Sequence, residues 1–287
     1  MPVKKRSALI TEQIHSKIIM DKNNILKLDI AVSPCPNDTY IYGALANRLI
    51  ASRYDFNFSY HDIETLNLMA LKGECDLIKM SFRNYFNVRD KYTLLPCGGA
   101  LGMGCGPLLI TADADAFRQK SRPLIAIPGY NTTANFLLHF FNKDLDNLVE
   151  MPFDRIEQAL LDKKADAGVI IHENRFTYAS KGLQLIRDLG SHWEEMTQAP
   201  IPLGCLAVRN ELATEISDDI TQLVQHSISY ARENYNEIHD YILAHAREME
   251  QNVIKSHIDL YVNDFSYSMG VSGQKAVKAM EEHLYSM

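Results

Sequence analysis

Short apolar runs alternate with stretches whose apolar residues recur every three or four positions. Leu28 to Val32 is mostly apolar and ends in a polar turn at Ser33, which predicts a buried strand; Ile41, Ala44, Leu45 and Leu49 predict a helix over Tyr40 to Ile50. Phe56, Phe58 and Tyr60 alternate with polar residues, as in a strand with one covered face. A helix over Glu64 to Leu71 and a strand over Leu77 to Ser81 follow. Strands interleaved with helices predict an α/β fold with a largely parallel sheet.

The second half repeats the grammar of the first. Leu66, Leu71 and Asp76, followed by an apolar strand, are echoed by Ile156, Leu161 and Asp166 before the strand Ala167 to Ile171. Ile30-Ala31-Val32 leading to a polar helix start is mirrored by Ile125-Ala126-Ile127 leading to Asn131-Thr132-Thr133. The pattern predicts two similar lobes: 25–109 with 205–287 as a discontinuous first lobe, and 110–204 as the second. Gly98, Gly99, Gly102, Gly104 and Gly106 lie between them and complete no dinucleotide fingerprint, so this stretch reads as a crossover strand, hinge or pocket wall. After the turn-rich Ala199-Pro200-Ile201-Pro202, a strand over Cys205 to Arg209 is expected to return the chain to the first lobe, followed by helices with Ile220, Val224 and Ile228 in one stripe. Residues 1–24 form an N-terminal appendage with a sparse stripe of Ile10, Ile14 and Ile18.

Composition narrows the partners. A net charge of -7 disfavours nucleic acid, whose phosphates demand clustered Lys and Arg. Five cysteines without a C-x-x-C pair fit buried thiols in a reducing cytoplasm. No apolar stretch is long enough to span a membrane, and the N-terminus lacks the apolar core of a secretory signal. His239 and His245 lack the spacing of a helical metal pair, so no metal is expected.

Candidate chemistry collects at strand ends, where open α/β sheets bind ligands. Ser33-Pro34-Cys35-Pro36-Asn37-Asp38-Thr39 forms a stiff strand-to-helix turn, with Asn37, Asp38 and Thr39 each able to cap the helix. His172 ends the strand Gly168 to Ile171, and an imidazole in general titrates near neutrality, the property of a general base; the alternative is a hydrogen-bonded structural histidine. Thr132 and Thr133 open a helix whose N–H groups and dipole suit an anion, and a simple cap is the competing reading. Lys79 and Ser81 share one face of their strand and Met80 takes the other. Glu173 orients the imidazole or begins a solvated loop; Arg175 attracts a carboxylate or supports that loop.

The string SPCPNDT resembles the signature of the 1,4-dihydroxy-6-naphthoate synthase family of the futalosine route to menaquinone. Matching stretches follow in order: Asp62 to Asn67, Lys79-Met80-Ser81, Gly98 to Gly102, Thr132-Thr133-Ala134, Ile170 to Tyr178 and Tyr261 to Ser266. The resemblance implies a two-lobed fold like the type II periplasmic binding proteins, with the active site in the inter-lobe cleft. It implies a cytoplasmic, cofactor-independent carbon–carbon lyase acting on a small carboxylate substrate, cyclic dehypoxanthine futalosine, and releasing 1,4-dihydroxy-6-naphthoate and dihydroxyacetone. It makes His172 the proton acceptor and Lys79, Met80, Ser81, Thr132 and Thr133 substrate-binding residues. Ser33, Asn37, Asp38, Thr39 and Arg175 become candidates for the pocket wall. A solute-binding protein of the same fold and the chorismate dehydratase of the same pathway are the alternatives.

Overall fold

The computed structural model describes residues 25–246 and 250–286, so the isoleucine stripe of the N-terminal appendage lies outside the described residues. The first sheet contains β1 (Leu26–Val32), β2 (Tyr54–Tyr60), β3 (Leu77–Ser81), β4 (Tyr92–Leu94), β5 (Ala100–Gly102) and, after a long excursion, β11 (Ile201–Arg209). The second contains β6 (Leu108–Thr111), β7 (Ile125–Ile127), β8 (Leu148–Glu150), β9 (Ala167–Ile170) and β10 (Gln184–Asp188). Two sheets, each flanked by helices, give the two-lobed α/β architecture.

The sheets are less uniformly parallel than the strand–helix alternation predicts. β1 runs parallel to β2 and β3, and β7 runs parallel to β8 and β9. β11 is antiparallel to β3, β4 and β5, while β6 is antiparallel to β9 and β10. The parallel pairs are joined through helices, as parallel connections require; β6 and β11 carry the chain between sheets and enter from the other direction. The expected boundaries at 109/110 and 204/205 therefore fall inside strands: β6 lies wholly in the second sheet and β11 wholly in the first. Ile201 and Pro202 belong to β11 rather than to a turn. Pro202 sits at a register shift against β5, where a missing N–H is tolerated.

Strand alternation divides the core. Leu28, Ile30 and Val32 of β1 pack with Ile41 and Leu45 of the Pro36–Ala46 helix and with Ile216, Ile220 and Val224 of the Asn210–Glu233 helix. Ala31, Ile78 and Met80 face another apolar cluster, which extends through Leu109, Ile125 and Trp193 into the second lobe. Close approach of backbones at this junction requires glycine: a Cβ on Gly106 would lie 2.3 Å from Gly190 Cα. All five cysteines are buried, and burial pushes the thiols of Cys97, Cys105 and Cys205 up to about 12.

Candidate active site

A cleft with about 640 Å³ of unfilled space opens between the two sheets. Ser33, Asn37, Asp38, Lys79 and Ser81 line it from the first lobe, and Thr132, Thr133 and His172 from the second. Ile63, Pro107, Ile171, Leu203 and Tyr261 supply much of its apolar wall.

The SPCPNDT turn builds a buried charge pair. The helix starts at Pro36, which fixes φ at its first position, and Cys35 is the N-cap without a side-chain capping bond. None of Asn37, Asp38 and Thr39 therefore caps it. Asp38 instead turns back: its Oδ2 accepts from Ser33 N (3.1 Å) and Ser33 Oγ (2.8 Å), and its Oδ1 accepts from Asn37 Nδ2 (2.9 Å) and Lys79 Nζ (2.6 Å). Lys79 also donates to Gly98 O at 2.9 Å, which leaves one of its three ammonium protons for the cleft. Ser81 Oγ accepts from Asn67 Nδ2 at 3.1 Å, and its own proton has no acceptor among the described residues.

Across the cleft, Thr132 caps the Thr133–Phe141 helix, accepting from Asn135 N (3.1 Å) and donating to Gly129 O (2.7 Å). Thr133 Oγ1 donates to Leu203 O at 2.8 Å. Both hydroxyl protons are thus committed within the protein. The backbone N–H groups of Thr133 and Ala134, which have no acceptor among the described residues, remain for an anion at the helix N-terminus. Glu64 bridges the lobes just before this point, accepting from Asn131 Nδ2 (2.6 Å), Asn131 N (3.2 Å) and Asn67 Nδ2 (3.2 Å). Burial raises its carboxyl above the usual range against those hydrogen bonds. The carboxylate crowds Gly129, where a Cβ would fall 2.3 Å from Glu64 Oε2.

His172 follows β9 with φ 57°, in the left-handed region where histidine is enriched among non-glycine residues. Its ring lies against Phe153 at 4.9 Å and stacks on His257 at 5.9 Å, with 14° between the ring planes. Donor atoms of Cys35, His172 and Glu173 fall within 4.8 Å of one another, a thiol, imidazole and carboxylate that a soft divalent cation could contact. Cys35 comes from a segment far in sequence from His172 and Glu173, so the spacing argument against a metal does not reach the group. The following loop is anchored by Asn174 Nδ2 on Glu157 Oε2 (2.6 Å) and by Arg175.

Three expected site residues face elsewhere. Met80 is fully buried in the apolar cluster on the opposite side of β3, as alternation dictates. Thr39 donates to Cys35 O and Pro36 O. Arg175 supports the loop, donating to Gly106 O (2.6 Å) and Asp188 Oδ2 (2.7 Å), and does not line the cleft. The sequence pattern gives no site role to Glu64, Asn67, His257 or Tyr261, although Glu64, Asn67 and Tyr261 lie in stretches that match the family. For His257 a signal existed: Ile254, His257, Ile258 and Tyr261 recur at helical spacing, which places a histidine on an apolar face.

Comparison with known proteins decides the family. A family model for menaquinone biosynthesis matches residues 28–286. The chain belongs to this family. Among its curated relatives, the 1,4-dihydroxy-6-naphthoate synthase of Streptomyces coelicolor is 39% identical over 88% of this chain and 91% of its own length. The Thermus thermophilus protein of the same name is 40% identical over 87% and 91%. A crystal structure of a protein from Archaeoglobus fulgidus superposes with TM-score 0.85 at 34% identity, covering 91% of this chain and 97% of that one. The family's fold is that of periplasmic binding proteins: the aliphatic sulphonate binding protein of Escherichia coli, only 11% identical, covers 90% of this chain and 88% of its own at TM-score 0.59. Among the described residues no helix is long and apolar enough to cross a membrane.

Proposed function

We propose that the chain is a 1,4-dihydroxy-6-naphthoate synthase: in the cytoplasm it converts cyclic dehypoxanthine futalosine to 1,4-dihydroxy-6-naphthoate with release of dihydroxyacetone. The observation that carries the reading is the placement of His172 in the cleft, opposite Lys79 and Ser81 and beside the open helix N-terminus at Thr133. His172 takes a proton from the substrate, and carbon–carbon cleavage then runs toward the aromatic product. The carboxylate sits at the N–H groups of Thr133 and Ala134. Ser81 Oγ and the remaining proton of Lys79 donate to the polar end of the substrate, while Ile63, Ile171 and Leu203 flank its ring system. No cofactor enters these steps.

The test is incubation of the purified protein with cyclic dehypoxanthine futalosine, with chorismate as the control substrate, followed by mass spectrometry. Naphthoate and dihydroxyacetone in equal amounts are expected. Dehydration of chorismate, or binding of either compound without turnover, would overturn the reading.

A further inference from the structure

His257 lies on the Gln251–Tyr261 helix, is 0% exposed, and takes no part in the chemistry above. Its hydrogen bonds determine which nitrogen carries the proton. Asn37 Nδ2 donates to Asp38 Oδ1, a carboxylate oxygen that also accepts from the Lys79 ammonium and has no proton to return. The Asn37 amide is thereby oriented with Oδ1 toward His257. Since that oxygen only accepts, His257 Nε2, 2.9 Å away, must donate. In the neutral ring the lone pair then falls on Nδ1, which has no hydrogen-bond partner among the described residues and lies 3.8 Å from Glu173 Oε2.

We propose that His257 is a positioning residue for the base: fixed as its Nε2–H tautomer by Asn37, it ties the His172 ring to the Asp38–Lys79 pair and holds that ring nearly parallel to its own. The proposal rests on the reading of His172 as the base. His172 is set in a loop with left-handed backbone, and a ring on such a loop needs a rigid neighbour to keep its reacting nitrogen in place. His257 supplies one from a helix, at 5.9 Å and nearly parallel. The ring of Tyr261, on the cleft wall, covers its other surroundings at 4.6 Å.

Charge fits the same role. The titratable and charged groups around His257 are His172 and Glu173 from the loop after β9, Cys35 and Asp38 from the turn after β1, Lys79 through Asp38, and Tyr261 on its own helix. Burial, and then the neighbouring His172, pull His257 well below the usual imidazole range. When His172 takes a proton it meets an uncharged ring rather than a second cation.

Selective nitrogen-15 labelling of the histidines, read by long-range proton–nitrogen correlation, tests the tautomer without substrate. At neutral pH His257 is expected as the neutral Nε2–H form; an Nδ1–H tautomer, or an imidazolium at neutral pH, would overturn the proposal. Turnover supplies the second arm. His257→Gln keeps an uncharged N–H donor, so its kcat is expected within about threefold of the parent; His257→Phe keeps the volume but not the donor and is expected to lose roughly 10- to 100-fold in kcat with little change in KM. Equal activity in both variants, or equal loss in both, overturns the anchoring role. Where His257→Phe fails to fold, the tautomer and the Gln variant decide. If the parent protein does not turn the substrate over at all, the functional reading fails. The positioning role is then judged by the His172 resonances, which should hold in the Gln variant and move in the Phe variant.

Discussion

Lys79 Nζ lies 2.6 Å from Asp38 Oδ1, and the two side chains expose only 4% and 2% of their surfaces. Neither charge can fall back on water. Asp38→Ala should therefore destabilise the fold by about 3–5 kcal/mol, the cost of leaving one ion buried alone. Adding Lys79→Met to it should recover much of that loss in chemical denaturation without recovering activity. Stability unchanged in the single variant would mean that the lysine finds another partner.

His172→Ala is expected to fold and to lose about 10² to 10⁴ in turnover, the usual contribution of a positioned base. Product formation measured on protein of confirmed circular dichroism checks it. Retention of near-parental rates would remove His172 from the mechanism.

Thr132 and Thr133 are expected to separate on substitution. Thr132→Val deletes the cap of the Thr133–Phe141 helix and should cost about 1 kcal/mol in thermal unfolding, because Asn135 N–H loses its acceptor. Thr133→Val removes the bond to Leu203 O, which belongs to the other lobe's sheet, and should raise KM more than it lowers stability. The backbone donors survive both changes, so complete loss of binding in either variant would argue that the hydroxyls themselves hold the substrate.

Asp62 caps the Ile63–Lys72 helix, accepting from Glu64 N (3.1 Å), Thr65 N (3.0 Å) and Thr65 Oγ1 (2.6 Å). Burial alone would raise its carboxyl; the bonds from Thr65 and Glu64 outweigh that and hold it below the usual carboxylate range. Its contribution is then present above the ordinary aspartate value of about 3.9 and disappears as pH falls through the lower folded value. Asp62→Ala should cost about 1 kcal/mol at neutral pH, and the gap to the parent should close in acid. A gap in melting temperature that persists at low pH would point to packing instead.

The parts of the site that local chemistry encodes were legible in the sequence: the histidine after β9, the shared face of Lys79 and Ser81, and the capped helix at Thr132. What escaped depends on pairings between distant segments. Asn37 meets His257 across 220 positions and Glu64 meets Asn131 across 67, and no periodicity carries such information. Arg175 was ambiguous because a guanidinium reads alike whether it meets a ligand or Asp188. Met80 was drawn in by its neighbours in the motif, although the two-residue repeat of a strand already turned it away. The direction of β11 was hidden for a similar reason: apolar content marks a strand but not which end enters the sheet first.

The two stretches that join the sheets are not independent tethers. β5, just before the outward crossing, is paired with the start of β11 on the return, Gly102 opposite Ile201 and Leu101 opposite Pro202. A hydrogen-bonded ribbon flexes across its thickness far more easily than its strands slide past one another, because sliding breaks every rung. Admission of a substrate would therefore swing the walls about this paired ribbon, as covers turn on a spine, and the contacts that cross the cleft, Glu64 to Asn131 and Thr133 to Leu203, would be the clasps that part. Each closing would bring Lys79 and His172 back to the same alignment, so the precision of the reaction would be inherited from the pairing of β5 with β11.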